Sequence, residues 1–267
     1  MSKLFISDLD GTLFDDNKKI SVDNLNMIIK LRKMGHYFSI ATSRYYKALY
    51  FLLKDMDLCS PVICSNGSFI YDFKNNKTIY KNNIDTTIAS NIVKLALDNN
   101  YPTFAQAENY LYVSKDNGRF VNYKNPIMSI NPIELSLDNL ANLNDVFQIS
   151  VGTNDPIKTK EWFKAKLINI DIDVVITGKD VVVFKPLNTS KASGAKFLLD
   201  YYNLKEDDLI VFGDDENDIS LFKYSKYSYA MSNARDEIKK MANKVASSNN
   251  DSGVAKAIND FLKTNNY

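Results

Sequence analysis

Short apolar segments alternate with amphipathic segments of helical length at both ends of this 267-residue sequence. The first part predicts three strands, KLFIS, YFSIAT and SPVICSNG, separated by the helices SVDNLNMIIKLRKMG and RYYKALYFLLKDM. Ser21 is expected to cap the first helix, and Gly35 is expected to end it. Strands that alternate with helices of this length are typical of βαβ units, which place their strands in a parallel sheet.

The alternation is interrupted in the middle of the chain. SFIYDFKNNKTIYK predicts a hairpin with its turn at Lys74, Asn75 and Asn76, and residues 83–184 then mix helices with short strands. The alternation resumes with SKASGAKFLLDYYN, DLIVFG, ENDISLFKYS and YSYAMS. We therefore expect an α/β fold. Residues 1–82 and 185–267 would form a Rossmann-like parallel-sheet core, and residues 83–184 an inserted α+β domain.

Composition excludes several classes of partner. Lys plus Arg number 33 and Asp plus Glu number 32, so no general basic field attracts nucleic acid or anionic lipid. No apolar run approaches the roughly 18 residues of a membrane span, and the apolar stretch after Lys3 stops at Asp8. Cys59 and Cys64 are expected to be buried thiols. We therefore expect a cytoplasmic protein without a nucleic-acid or membrane partner, and its oligomeric state stays open.

Two aspartates follow the first predicted strand in the stretch FISDLDGTLF. Side chains at positions i and i+2 of a strand point to the same face, so Asp8 and Asp10 are expected to share one crevice. Open α/β sheets bind ligands at the carboxyl ends of their strands, and Gly11 allows a sharp turn there. The alternative is that both acids only satisfy turn amides. The apolar surroundings of Asp8 weigh against it, because a carboxylate there is costly to desolvate without a partner.

A second group of acids follows the apolar segment LIVFG. Its members are Asp214, Asp215, Glu216 and Asp218. Acids at a helix N-terminus can be purely stabilising, but a group this dense repels itself unless it shares a cation. Oxygen ligands favour Mg²⁺ or Ca²⁺, and a site that keeps room for a phosphate favours Mg²⁺. The chain has one histidine, His36, so a histidine-based metal site is not expected.

Two weaker signals concern anion binding. Lys191 in NTSKASGAKFLL falls in the first turn of a helix capped by Ser190. It is either an ordinary surface lysine or a cation facing an anion held at the helix start. In SIATSR, Thr42 and Ser43 end the second strand and offer hydrogen-bond donors for phosphate oxygens, although such residues are common in loops.

Together, and in their order along the chain, the four features resemble the haloacid dehalogenase (HAD)-type phosphohydrolase superfamily. The sequence is most similar to its Cof-type sugar-phosphatase branch, subclass IIB, which carries a C2B cap domain. The matching motifs are DLDGTL, Thr42, Lys191 and GDDEND, together with Asn66-Gly67 and Asn233-Ala234. One departure is Ser43, which stands where the branch usually has glycine.

The resemblance implies a role for each matching residue. Asp8 is the expected nucleophile, which forms an aspartyl-phosphate, and Asp10 is the expected acid and then base. Mg²⁺ is expected to bind Asp8, the backbone carbonyl of Asp10, and Asp214, with Asp218 as a direct or indirect metal partner. The residues expected to hold the phosphoryl group are Thr42, Ser43, Lys191 and Asn217. The candidates for substrate contact are Arg44 and Asn66.

The function implied is that of a Mg²⁺-dependent phosphatase acting on small phosphorylated metabolites, such as sugar phosphates or phosphorylated cofactors. A phosphomutase, which returns the phosphoryl group to the substrate, uses the same residues and stays an alternative. So does a binding protein without turnover. A glycosidase built on the paired acids fits less well, because its carboxylates flank the bond at about 5 Å or more and neither needs Lys191.

Overall fold

The computed structural model of the chain describes residues 2–53, 56, 58, 60–114 and 132–267. The chain forms two compact units. The first comprises Met1–Thr42, Asp55–Ile79 and Ser190–Tyr267, and the second comprises Ser43–Lys54 and Tyr80–Thr189. The domain limits expected from the sequence pattern, at residues 82/83 and 184/185, remain predictions.

In chain order the helices and strands are β1 (Leu4–Ser7), α1 (Val22–Lys33), β2 (Tyr37–Ile40), α2 (Tyr50–Leu53), β3 (Val62–Cys64), β4 (Phe69–Asp72), β5 (Lys77–Lys81), α3 (Thr86–Asp98), β6 (Thr103–Ala107), β7 (Leu111–Ser114), β8 (Ile133–Leu135), β9 (Val146–Gly152), α4 (Pro156–Lys166), β10 (Asp173–Thr177), β11 (Val181–Lys185), α5 (Lys191–Tyr201), β12 (Leu209–Gly213), α6 (Ile219–Tyr224), β13 (Tyr227–Met231), α7 (Asp236–Lys239), β14 (Lys244–Ala246) and α8 (Gly253–Thr264).

The first unit is built on a five-stranded parallel sheet in the order β14-β13-β12-β1-β2. β1 lies inside this sheet, with Leu4 opposite Leu209 on one side and Tyr37 on the other. All four residues of β1 are buried, as expected for a parallel strand covered on both faces. The parallel sheet confirms the predicted α/β fold class.

Helix α1 begins and ends where the sequence predicts. The Ser21 hydroxyl accepts a hydrogen bond from the Asn24 amide at 3.2 Å, which caps the first turn. Gly35 follows the helix with a φ of 80°, a left-handed conformation that glycine adopts without steric cost.

The predicted third strand belongs to a different sheet. β3 is part of a three-stranded sheet in the order β3-β4-β5, and its first pairing, with β4, is antiparallel. An isolated parallel bridge joins Ala41 to Ile63, and the Thr42 amide donates to the Ile63 carbonyl at 2.8 Å. SPVICSNG thus forms a strand as predicted, and this strand meets the end of the parallel sheet through one parallel bridge while its ladder pairing is with β4. The hairpin that follows has its turn where predicted, between β4 and β5. Cys64 in β3 is a buried free thiol, and Cys59 lies outside the described residues.

The second unit contains a six-stranded sheet in the order β10-β11-β9-β6-β7-β8. Its pairings are antiparallel except for the parallel pair β7–β8. Helices α3 and α4 contribute Ile92, Val93 and Phe163 to an apolar core that also includes Phe184 of β11. The unit therefore has a hydrophobic core of its own.

The segment RYYKALYFLLKDM is predicted as one amphipathic helix, and residues 46–53 are helical in the structure, although their first turn is not α-helical. Tyr46–Leu49 forms a 3₁₀ turn, and only the short α2 follows it among the described residues. The Tyr45 hydroxyl donates to the Ala107 carbonyl at 2.8 Å, and the Tyr46 hydroxyl donates to the Glu108 carbonyl at 2.7 Å. Hydrogen bonds to a distant loop thus fix the start of this segment.

No helix within the described ranges combines the length and the apolar character that crossing a membrane would require.

Candidate active site

Both groups of acids lie at the same edge of the parallel sheet. Asp8 directly follows β1, and Asp214 directly follows the neighbouring strand β12. The Asp8 amide donates to the Phe212 carbonyl at 2.9 Å, which extends the pairing of the two strands by one residue. Parallel neighbours end at the same edge, so residues separated by about 200 positions are brought side by side.

Three carboxylates meet at this edge. One oxygen each from Asp8, Asp214 and Asp218 lies within 4.8 Å of the others. Asp218 is fully buried, and one of its oxygens accepts hydrogen bonds from the Asp214 amide at 2.9 Å and the Asp215 amide at 3.1 Å. The acid-rich loop after β12 is therefore folded around its own last aspartate.

Lys191 lies between two of these acids. Its Nζ is 2.5 Å from Asp8 Oδ1 and 2.6 Å from Asp218 Oδ1, and its side chain is fully buried. Ser190 caps α5 by accepting from the Ser193 amide, so Lys191 occupies the first turn of that helix, as predicted. The alternative of an ordinary surface lysine is therefore excluded.

The cluster has too little positive charge. Three ionised carboxylates and one ammonium leave a formal charge of −2 in a buried site. Burial raises the pKa of Asp8 well above its usual range, and the charges of Asp218 and Asp214 add to this, although Lys191 opposes it. Burial, and then the Asp218 charge, raise the pKa of Asp214 to about 7. Burial alone would lower the pKa of Lys191, but the Asp218 and Asp8 carboxylates raise it above the ordinary lysine value.

A divalent cation would remove this imbalance. The donors are hard carboxylate oxygens, which suit Mg²⁺ or Ca²⁺. The cluster therefore fits the divalent cation that the sequence predicts.

The turn after β1 is shaped to fit Asp214. Gly11 has a φ of 80°, and a Cβ atom at this position would overlap the Asp214 carboxylate. The next residue, Thr12, donates from its hydroxyl to Asp214 Oδ1 at 2.6 Å. Thr12 was not among the residues assigned a role from the sequence, although it stands in the quoted motif DLDGTL.

The Asp10 carboxylate has a different environment. It lies outside the group of three carboxylates found among the described residues. Its Oδ1 is 2.9 Å from Nζ of Lys18, and both side chains are partly exposed. Asp10 is therefore partly exposed to solvent and paired with Lys18.

Thr42, Asn66 and Asn217 are linked to one another. The Asn66 amide donates to the Thr42 carbonyl at 3.0 Å, and Asn217 Nδ2 donates to Asn66 Oδ1 at 3.0 Å. Asn66 is buried and adopts a left-handed conformation with a φ of 56°. Gly67 follows with a φ of 96°, and a Cβ atom there would overlap the Ser190 carbonyl at the start of α5. Thus three residues that were predicted to contact the phosphoryl group or the substrate are joined by a chain of hydrogen bonds.

The remaining predicted residues, Ser43 and Arg44, belong to the second unit. The Ser43 carbonyl accepts a hydrogen bond from Gln148 Nε2 of β9 at 3.3 Å. Gln148 is almost completely buried, and no sequence pattern pointed to it.

Comparison with known proteins identifies the family. A sequence profile described as haloacid dehalogenase-like hydrolase matches residues 5–258. The chain belongs to this family. The chain is 25% identical over 271 residues to 5-amino-6-(5-phospho-D-ribitylamino)uracil phosphatase YitU of Bacillus subtilis, in an alignment that covers 97% of both chains.

Two solved structures show the same fold. TM0651 from Thermotoga maritima is 27% identical, covers 96% of each chain and has a TM-score of 0.77. BT4131, described as a HAD subclass IIB sugar phosphatase, is 21% identical, with a TM-score of 0.84 and coverage of 97% of this chain and 99% of its own. The predicted resemblance is confirmed, and so is the prediction of an enzyme of the phosphatase class.

Proposed function

We propose that this HAD-family enzyme is a Mg²⁺-dependent phosphatase of small phosphorylated metabolites that works through an aspartyl-phosphate on Asp8. The observation that carries the proposal is the buried ion pair of Lys191 with Asp8 and Asp218, next to Asp214. A buried cluster with this excess of negative charge is costly to the fold, and its features match those of a site for a cation and a phosphoryl group.

Asp8 is the nucleophile in this proposal. One carboxylate oxygen attacks phosphorus while the bond from phosphorus to the leaving-group oxygen breaks, and Asp10 donates a proton to that oxygen. The ammonium group of Lys191 holds Asp8 in place from 2.5 Å and favours its ionised form. The covalent intermediate divides a very slow hydrolysis into two displacements.

Asp10 then acts as the base of the second step. It removes a proton from a water molecule, whose oxygen attacks phosphorus and releases inorganic phosphate from Asp8. Because Asp10 lies outside the carboxylate cluster, its side chain can carry a proton in the first step without losing a metal ligand.

The metal ligands proposed are the carboxylates of Asp8 and Asp214 and the backbone carbonyl of Asp10. Both oxygens of Asp218 already accept hydrogen bonds from protein groups, so Asp218 is assigned to holding Lys191 and the loop after β12. When bound, Mg²⁺ supplies positive charge to the phosphoryl oxygens and offsets the carboxylates. The phosphoryl group is assigned to Thr42, Ser43, Lys191 and Asn217, and further substrate contacts to Arg44 and Asn66.

The relatives support a small phosphorylated substrate. The name of YitU specifies a phosphorylated ribityl compound, and BT4131 is described as a sugar phosphatase. We therefore propose phosphate monoesters of sugars, polyols or cofactors of similar size as the substrate class.

The test is a screen of such monoesters and of p-nitrophenyl phosphate, with Mg²⁺ or with EDTA. Asp8→Asn keeps the shape of the side chain and should lower phosphate release by roughly 10⁴-fold or more, as removal of a nucleophile does in other enzymes. Asp207→Asn, at a carboxylate paired with Lys226 on the surface, is the matched control and should retain full activity. Equal activity of native protein and Asp8→Asn would remove Asp8 from the mechanism. An isomerised product without free phosphate would favour the phosphomutase alternative.

A further inference from the structure

Asn249 makes contacts that its position near the C-terminus does not require. It lies in the 3₁₀ turn Asn249–Asp251 before α8, and its side chain is almost completely buried. Its Nδ2 donates to the Phe14 carbonyl at 3.0 Å and to Asp16 Oδ1 at 3.1 Å. An asparagine at a helix start usually bonds its own turn, so contacts with the N-terminal part of the chain indicate another role.

Asn233 continues the same network. Its Oδ1 accepts from the Asn249 amide at 3.1 Å, and its Nδ2 donates to the Gly11 carbonyl at 2.8 Å. The two asparagines, named here the asparagine pair, thus hold the segment 11–16 near both of its ends. This segment directly follows Asp10.

The held segment is also paired with Asp10 itself. A β-bridge joins Asp10 to Phe14, and the Phe14 amide donates to the Leu9 carbonyl at 2.8 Å. Phe14, whose carbonyl Asn249 holds, is therefore bonded on its other side to the backbone around Asp10. Any shift of Phe14 would move that backbone with it.

We propose that the asparagine pair positions Asp10 for proton transfer to the leaving group. The inference rests on the proposed function, because it needs Asp10 to be the acid of a phosphatase. Misplacing a reacting group by about 1 Å can cost on the order of 10²-fold in rate, and general acids contribute about 10²–10⁴-fold. Loss of the pair should therefore slow the reactions that depend on leaving-group protonation.

Two substrates separate this role from a purely structural one. Glycerol 3-phosphate has a poor alkoxide leaving group that must be protonated, whereas p-nitrophenolate leaves without a proton. The quantity to compare is kcat/KM, which covers the steps through formation of the aspartyl-phosphate. Asn249→Ala should lower kcat/KM by about 10- to 100-fold for glycerol 3-phosphate and by less than about threefold for p-nitrophenyl phosphate. Asp10→Asn should show the same selectivity and a larger loss.

Asn243→Ala is the matched control. The Asn243 side chain accepts from the Ser228 hydroxyl at 2.6 Å, at the far end of the β13 strand from the asparagine pair, so both substrates should respond alike to its loss. If Asn249→Ala fails to fold, Asn233→Ala removes an exposed side chain of the same hydrogen-bond network. It should again lower kcat/KM more for glycerol 3-phosphate than for p-nitrophenyl phosphate. Equal losses on both substrates in the folded variants would overturn the positioning role. A native enzyme that hydrolyses neither substrate, nor any other monoester, would instead overturn the proposed function.

Discussion

Replacing Asp214 with asparagine should stabilise the metal-free protein while it abolishes activity. Burial and the Asp218 charge raise the pKa of Asp214 from 3.8 to about 7. One pKa unit corresponds to about 1.4 kcal/mol, so the ionised carboxylate costs the folded state about 4 kcal/mol at most above pH 7. The asparagine side chain would keep an oxygen that accepts the Thr12 hydroxyl, so the gain should be about 2–4 kcal/mol.

The effect has a definite pH dependence. Between about pH 4 and pH 7 the folded protein retains a proton on Asp214 that the unfolded chain has released. The free energy of unfolding of the metal-free native protein should therefore fall as the pH rises through this window. The advantage of Asp214→Asn should be small near pH 4 and complete near pH 8.

Thermal unfolding followed by circular dichroism in EDTA measures this difference. At pH 8 the first transition of Asp214→Asn should lie roughly 5–15 °C above that of the native protein. Adding Mg²⁺ should raise the native midpoint and leave that of the variant nearly unchanged, because a ligand stabilises only the form that binds it. Asp207→Asn, with its side chain 63% exposed, should leave the midpoint where it was. A variant no more stable than native protein at pH 8 in EDTA would show that the cluster does not lack positive charge.

Three further substitutions test other parts of the site. Gly67→Ala would push a Cβ atom into the Ser190 carbonyl, so it should lower the free energy of unfolding by about 1–3 kcal/mol in chemical denaturation and also lower kcat. Unchanged values would mean that the turn can relax. Thr12→Val removes the hydroxyl bonded to Asp214 and should raise the Mg²⁺ concentration needed for half-maximal activity by about 10- to 100-fold. An unchanged Mg²⁺ requirement would contradict this role of Thr12. Lys191→Met leaves two buried carboxylates without their ammonium partner, so it should lose activity and about 3–5 kcal/mol of unfolding free energy in EDTA. A stable, active variant would contradict the view that Lys191 offsets the charge of Asp8 and Asp218.

Much of the site follows from local sequence because the edge of a parallel sheet brings strand ends together. Asp8 and Asp214 each follow an apolar strand, and Ser190 marks the start of the helix that carries Lys191. Such signals span a few residues and need no knowledge of distant contacts. The family resemblance then supplied the order of the motifs and the expected chemistry.

Other features depend on contacts between distant parts of the chain. The tyrosines at 45 and 46 donate to carbonyls more than 60 residues away, and the helical pattern of their segment did not predict these contacts. β3 has the composition of a buried parallel strand, yet apart from one parallel bridge to Ala41 its pairing is antiparallel, with β4. Asn249 stands in a polar stretch that is typical of an ordinary turn, and only the folded chain brings it to Phe14.

The order of the strands has a consequence for synthesis on the ribosome. β1 leaves the exit tunnel well before its partner β12, because β12 is not translated until residues 209–213. The second unit is complete at residue 189, so it can fold while β1 still lacks this neighbour. A nascent chain arrested between these points would hold a folded second unit but only one of the two acidic loops, and it would expose an apolar strand for chaperones to shield.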